Sequence, residues 1–192
     1  MIKPALHHVN LMTTRLQEMI DWYGHVAGLE VAHLAPVGAW LSNDAANHRL
    51  ALISLPDVVD DPAKQIHAGL HHIAFEYASF SDMFDSYARL RDLRIVPYFC
   101  LDHGLTTSMY YGDPDRNLVE LQIDNFGDWA KSSHWMRTSA EFAANPIGVF
   151  FDPERVFDAY REGRSAADIH RAAMAGEFLP DPLPPIGIPP KA

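Results

Sequence analysis

Histidine pairs recur in this chain at an interval that points to a metal. Leu6-His7-His8-Val9 returns 64 residues later as Leu70-His71-His72-Ile73. A carboxylate, Glu120, sits inside the apolar run Asn117-Leu118-Val119-Glu120-Leu121-Gln122-Ile123. Left bare in an apolar strand, such a group costs on the order of several kcal/mol, a penalty that a partner or a metal removes. Two imidazoles and one carboxylate on one face of an ion leave the opposite positions open, the ligand set of non-haem Fe(II) sites that handle oxygen. His8, His72 and Glu120 are therefore the predicted metal ligands. Strand alternation turns their neighbours His7 and His71 to the opposite face, in structural or supporting roles.

The elements that must position these donors are themselves repeated. At the same offset Leu11 meets Phe75, Leu16 meets Phe80, Met19 meets Met83, Ile20 meets Phe84, Asp21 meets Asp85 and Tyr23 meets Tyr87. A match of this length reads as one supersecondary unit used twice. The first copy predicts a strand over 5–11 and a helix over 15–27 capped by Thr13 or Thr14. That helix buries Leu16, Met19, Ile20, Tyr23 and Val26, and strands follow at 29–34, 38–42 and 48–54. The second predicts a strand over 70–77, a helix over 80–93 capped by Ser79 or Ser81, and strands at 95–101, 106–112 and 117–123. Leu55 to Ala68 is a polar link, and Asp113-Pro114-Asp115 is a turn signal.

The expected fold class is α+β, with two βαβββ modules forming a curved mixed sheet around the metal site. The expected domain is 1–126, with modules at about 4–55 and 68–124. Residues 127–192 are an extension. In it Asp152-Pro153 opens a helix over 153–162, and Ser165 to Asp168 is a capping box for another reaching about 175. Leu179 to Ala192 holds six of the fourteen prolines and should be extended, as a tail packed on the domain, an interface element or a lid.

Composition narrows the class of partner. Hydrophobic content of 48% suffices for a packed interior, and a formal charge of −10 without a basic stripe speaks against nucleic acid or an anionic membrane. The start, MIKPALHHVNL, lacks the apolar core of a secretory signal, and no apolar run approaches bilayer length. A single cysteine, Cys100, excludes an internal disulfide framework and fits a cytoplasmic location; it reads as a buried strand residue. Eleven histidines are many for 192 residues, and His25, His33, His67, His134 and His170 are assigned no role.

Over about residues 4–124 the chain resembles the vicinal oxygen chelate superfamily, and within it the single-domain type I extradiol ring-cleavage dioxygenases. The matching residues are LHHV, LHHI and NLVELQ for the ligands. Asn47-His48-Arg49-Leu50-Ala51-Leu52 is similar to the strand presenting an acid–base histidine. Asp102-His103-Gly104 with Ser108-Met109-Tyr110-Tyr111 is similar to the region of a supporting histidine and an active-site tyrosine. Gly112-Asp113-Pro114-Asp115-Arg116-Asn117 leads into the ligand Glu, with Tyr110 ten residues before Glu120.

The resemblance implies an enzyme that opens a catechol ring beside the diol with O2, giving a semialdehyde. Fe(II) would be its cofactor, a small aromatic diol its substrate, and His48, His103 and Tyr110 its catalytic residues. Small modules with an open half-barrel and an extra tail often associate, so a homodimer or higher homo-oligomer is expected. Two departures stand out. Ala51 falls where small two-module glyoxalase I has a second Glu ligand, and Arg116 replaces the turn glycine, which raises the question of that turn's φ sign. The alternative is a redox-neutral lyase, epimerase or isomerase of the same superfamily using Mn(II), Zn(II), Ni(II) or Co(II). A metal-free antibiotic-sequestering protein is a third reading.

Overall fold

The computed structural model describes residues 1–187. Two compact units divide it: Met1–Gly69 together with Asp113–Asn117, and Leu70–Gly112 together with the residues from Leu118 onward.

In the first unit the order is β1 (Val9–Met12), α1 (Leu16–Ala27), β2 (Glu30–Ala35), β3 (Gly38–Ser42) and β4 (Leu50–Ile53). They form a mixed sheet in the order β1-β4-β3-β2, with β1 and β4 parallel and the other pairs antiparallel. α1 puts Met19, Ile20, Tyr23 and Val26 into the core, as its periodicity predicts, but leaves Leu16, in its first turn, only half-buried. Each such burial is worth about 1.5–3 kcal/mol. Neither threonine caps it. The N-cap is Arg15, without a side-chain cap bond, and Thr13 Oγ1 instead accepts from Arg15 N at 2.9 Å. Thr13 thus stands two residues before the N-cap and bonds the Arg15 amide rather than a helical one.

The Asp113–Asn117 turn belongs to this unit. Asp113 accepts from Tyr23 OH at 3.0 Å and Asp115 pairs with Arg15 at 3.3 Å. Arg116 keeps the positive φ, +66°, that the usual glycine would adopt freely. Its Nη1 donates to the Pro62 carbonyl at 3.3 Å, which helps to hold the strained residue.

The second unit repeats the order with β5 (His72–Glu76), α2 (Phe80–Asp92), β6 (Phe99–Asp102), β7 (Thr106–Gly112) and β8 (Leu118–Asp124). Ser79 caps α2, accepting from Asp82 N at 3.1 Å. β6 begins at Phe99 rather than near 95. The amides of Leu93, Arg94 and Ile95 bond back to α2 carbonyls, and Arg94 takes φ +62° to close the helix.

Beyond β8 come α3 (Trp129–Thr138), α4 (Ala140–Ala144), β9 (Val149–Phe150), α5 (Pro153–Arg161) and α6 (Ala166–Met174). β9 adds a fifth strand beside β6, giving the order β5-β8-β7-β6-β9. α5 and α6 open on Asp152-Pro153 and on the Ser165 box, as predicted. α4 and β9 are too short to show a period and α3 buries only Ser132, although Asp128 and Ser139 cap the two helices. Leu179 to Gly187 carries no helix or strand; the rest of the Pro-rich stretch lies outside the described residues. Among the described residues no helix is long and apolar enough to cross a membrane.

The α+β class and the duplicated βαβββ order are those read from the repeat. The strands make two mixed sheets, of four and five strands.

Candidate metal centre

Strand register assembles the second unit's cluster. Glu120 on β8 lies opposite Ala74 on β5 and Tyr110 on β7, and Tyr110 lies opposite Phe99 on β6. Directly paired residues share a sheet face, and His72 stands two residues before Ala74 on that face. His72 Nε2 is 3.0 Å from Glu120 Oε2, while Tyr110 OH donates to Glu120 Oε1 at 3.0 Å. His103 Nε2 is 2.8 Å from the Tyr110 oxygen. Phe99 stacks on the Tyr110 ring at 4.4 Å, holding the phenol in plane. With its proton directed at Glu120, the Tyr110 oxygen accepts from His103 Nε2 in the tautomer that carries hydrogen there.

Electrostatics sort the roles. Burial pushes the Glu120 carboxyl up, but hydrogen bonds from His72, Ser108 and Tyr110 and the His72 charge outweigh it. The net shift is downward, and Glu120 stays ionised at neutral pH. Burial and then the Glu120 charge push the Tyr110 phenol up, which keeps it a donor rather than a base. Burial lowers the His103 imidazole and outweighs the opposite pull of Glu120.

The first unit carries His8 and His48. Val9 N donates to the Arg49 carbonyl at 3.0 Å, placing the residue before β1 beside the residue before Arg49. The His8 and His48 rings lie 4.3 Å apart, and His48 Nδ1 is 2.8 Å from Asn47 Oδ1, which leaves Nε2 uncommitted in that bond. Arg49 reaches the His7 carbonyl at 3.0 Å and binds Asp44, whose carboxyl its guanidinium holds down at about 2.

The neighbours do not turn to the opposite face. His7 Nδ1 lies 3.1 Å from His8 Nδ1, and His71 Nδ1 lies 2.7 Å from His72 Nδ1. Alternation does not reach them, because β1 starts at Val9 and β5 at His72, leaving His7, His8 and His71 outside the regular pleat. His7, His8 and His48 offer ring nitrogens all within 4.8 Å of one another.

Register also settles the glyoxalase comparison. Asn10 faces Ala51, which faces Trp40, as Ala74 faces Glu120, which faces Tyr110. Ala51 therefore occupies the first module's equivalent of Glu120 and brings no donor atom. The donors that remain are imidazole nitrogen and carboxylate oxygen, which suit a divalent first-row ion and offer no thiolate. Cys100 is fully buried, with its thiol pushed up by burial.

His170 carried no sequence signal, yet its Nδ1 donates to Asp102 at 2.7 Å, one residue before His103. Trp129 Nε1 donates to Glu76 at 2.8 Å.

Over 186 residues, 96% of this chain and 97% of the relative, it is 37% identical to biphenyl-2,3-diol 1,2-dioxygenase 2 of Rhodococcus globerulus. It is 37% identical to biphenyl-2,3-diol 1,2-dioxygenase 3 of the same organism, across 91% of each chain. A lactoylglutathione lyase structure from Agrobacterium tumefaciens superposes with TM-score 0.50 at 20% identity, covering 64% of this chain and 95% of that one. A glyoxalase/dioxygenase structure from Nostoc punctiforme does so at 0.50 and 18%, covering 62% and 90%. At such identities the two structures speak for the fold alone. The profile of the Glyoxalase/Bleomycin resistance protein/Dioxygenase superfamily matches residues 5–121, and the chain belongs to that superfamily.

Proposed function

We propose that the chain is an Fe(II)-dependent extradiol dioxygenase that opens the ring of a catechol with O2 to a semialdehyde. His8, His72 and Glu120 are the metal ligands in this reading. His8 enters it through the repeat that makes it the counterpart of His72. One observation carries the reading: a buried, ionised Glu120 bonded to His72 and Tyr110, in a chain related end to end to named biphenyl-2,3-diol dioxygenases. Bound there, Fe(II) would give catecholate and O2 a common coordination sphere and a path for electrons between them.

The protein's own groups handle protons and position. His48 takes a catechol hydroxyl proton at Nε2, because Nδ1 is engaged by Asn47, and returns it as the ring opens. Tyr110 and His103 hydrogen-bond the bound diolate and fix its orientation. The redox-neutral alternative in its glyoxalase I form lacks its fourth ligand at Ala51.

Anaerobic loading with Fe(II) tests the reading, followed by catechol, 3-methylcatechol and biphenyl-2,3-diol in air. Stoichiometric O2 uptake with a yellow, pH-sensitive product is expected. A fully iron-loaded protein that consumes no O2 with any of the three would refute it.

A further inference from the structure

His103 sits on the turn that joins β6 to β7, and the residues following β8 hold that turn from several sides. Asp102, fully buried, accepts from Gly104 N at 2.9 Å and so closes the turn around His103. Its other oxygen accepts from Thr107 Oγ1 at 3.3 Å and, at the shorter 2.7 Å, from His170 Nδ1 on α6. Asn125 Nδ2 donates to the Gly104 carbonyl at 3.2 Å and approaches Asp102 and His170 at 3.4 and 3.2 Å. Gly148, at φ +89°, lies so close that a Cβ there would stand 2.1 Å from the Asp102 carbonyl oxygen and 2.8 Å from His103 Cα. A Cβ on Gly104 would meet the Trp135 ring at 2.4 Å, and the Ile147 backbone hydrogen-bonds His103.

Most of these contacts are backbone packing that any fold needs. The Asp102–His170 bond is different, because it joins two ionisable side chains 68 residues apart, one of them completely out of water. A buried carboxylate deprived of its strongest donor must turn toward those that remain, Gly104 N of its own turn, Thr107 Oγ1 and Asn125 Nδ2, the last also bonded to the Gly104 carbonyl. Any such readjustment moves His103, the next residue.

We propose that His170 is a positioning residue, acting through Asp102 to hold the His103 imidazole on the Tyr110 hydroxyl. The role rests on the dioxygenase reading. It also gives the C-terminal extension a task other than that of a lid: it clamps the turn that presents one end of the Glu120–Tyr110–His103 chain.

The test uses the full-length chain with H170A, H170N and H170Q. Asn places an amide N–H near the imidazole Nδ1 position, whereas Gln places it near Nε2. One readout is steady-state turnover of the iron-loaded enzyme. The other is the ring ¹⁵N and ¹H signals of His103 before iron is added, assigned by their loss in H103Q. H170A should lower kcat about tenfold with KM within about twofold, in the range for residues that orient catalytic groups. It should also shift the His103 ring signals. H170N should restore both, and H170Q should not. Unchanged kcat and ring signals in H170A, even with a lower Tm, would overturn the proposal. So would equal behaviour of H170N and H170Q, which decides the matter if H170A does not fold. Should the wild type turn over no catechol, the reaction assignment fails while the ring signals still decide the coupling.

Discussion

The two modules share a topology and a strand register, yet equivalent rows of their two sheets carry different side chains. Across one face of the first sheet run Asn10, Ala51, Trp40 and His33; across the second run Ala74, Glu120, Tyr110 and Phe99. Where the first row packs a methyl group against an indole, the second sets a carboxylate against a phenol. Their flanks differ as well. All four β6 residues are buried, with β9 paired along the outer edge and α6 packed nearby, whereas β2 at the same place is exposed along nearly its whole length. Equal scaffolds thus tolerate unequal polarity. A buried carboxylate needs donors on neighbouring strands and a shielded surround, and only the second module has both.

The sharpest way to break this contrast is Glu120→Gln. It preserves shape and removes the charge, so turnover with catechol should vanish and the iron retained after desalting should fall. Retained iron and activity would put the centre elsewhere.

The converse change, Ala51→Glu, writes the second module's residue into the first. Ala51 is 1% exposed and its strand neighbours include Trp40, so the carboxylate meets too few donors. Thermal or denaturant unfolding should show a loss of about 3 kcal/mol. A neutral result would mean that the first row accepts charge as readily as the second.

Tyr110→Phe keeps the stack on Phe99 and deletes the hydroxyl between Glu120 and His103. We expect kcat to fall about tenfold while stability changes by less than about 1 kcal/mol. Trp40→Phe, at the equivalent place, should leave kcat untouched; a comparable drop there would erase the distinction between the rows.

The smallest effect concerns the helix starts. Ser79 and Arg15 are counterparts in the repeat, and only Ser79 caps its helix through the side chain. Ser79→Ala should cost about 1 kcal/mol in unfolding free energy, with kcat unaltered. Arg15 instead pairs with buried Asp115, whose Oδ2 finds no hydrogen-bond partner among the described residues.

Much of this was legible before any coordinates. The helix faces of α1 and α2 follow a period of 3.6, and the Ser79, Asp152 and Ser165 caps are local signals. The spacing of Tyr110 ten residues before Glu120 was visible, whereas their pairing across β7 and β8 is set by the register. The histidine pairs were visible as a repeat, but the orientation of His7 and His71 was not, since the strands begin later than alternation suggested.

Sequence by itself determined the duplicated βαβββ plan, the imidazoles and carboxylate at positions 8, 72 and 120, and the methyl group at position 51. Each of these is written in residues near one another or in a repeat that can be aligned. Tertiary structure alone decided that His170 bonds Asp102, that Gly148 packs on the His103 turn, and that β6 is sealed while β2 is not. Those facts arise from segments dozens of residues apart. No local periodicity encodes them, because the contact exists only once the intervening chain has folded.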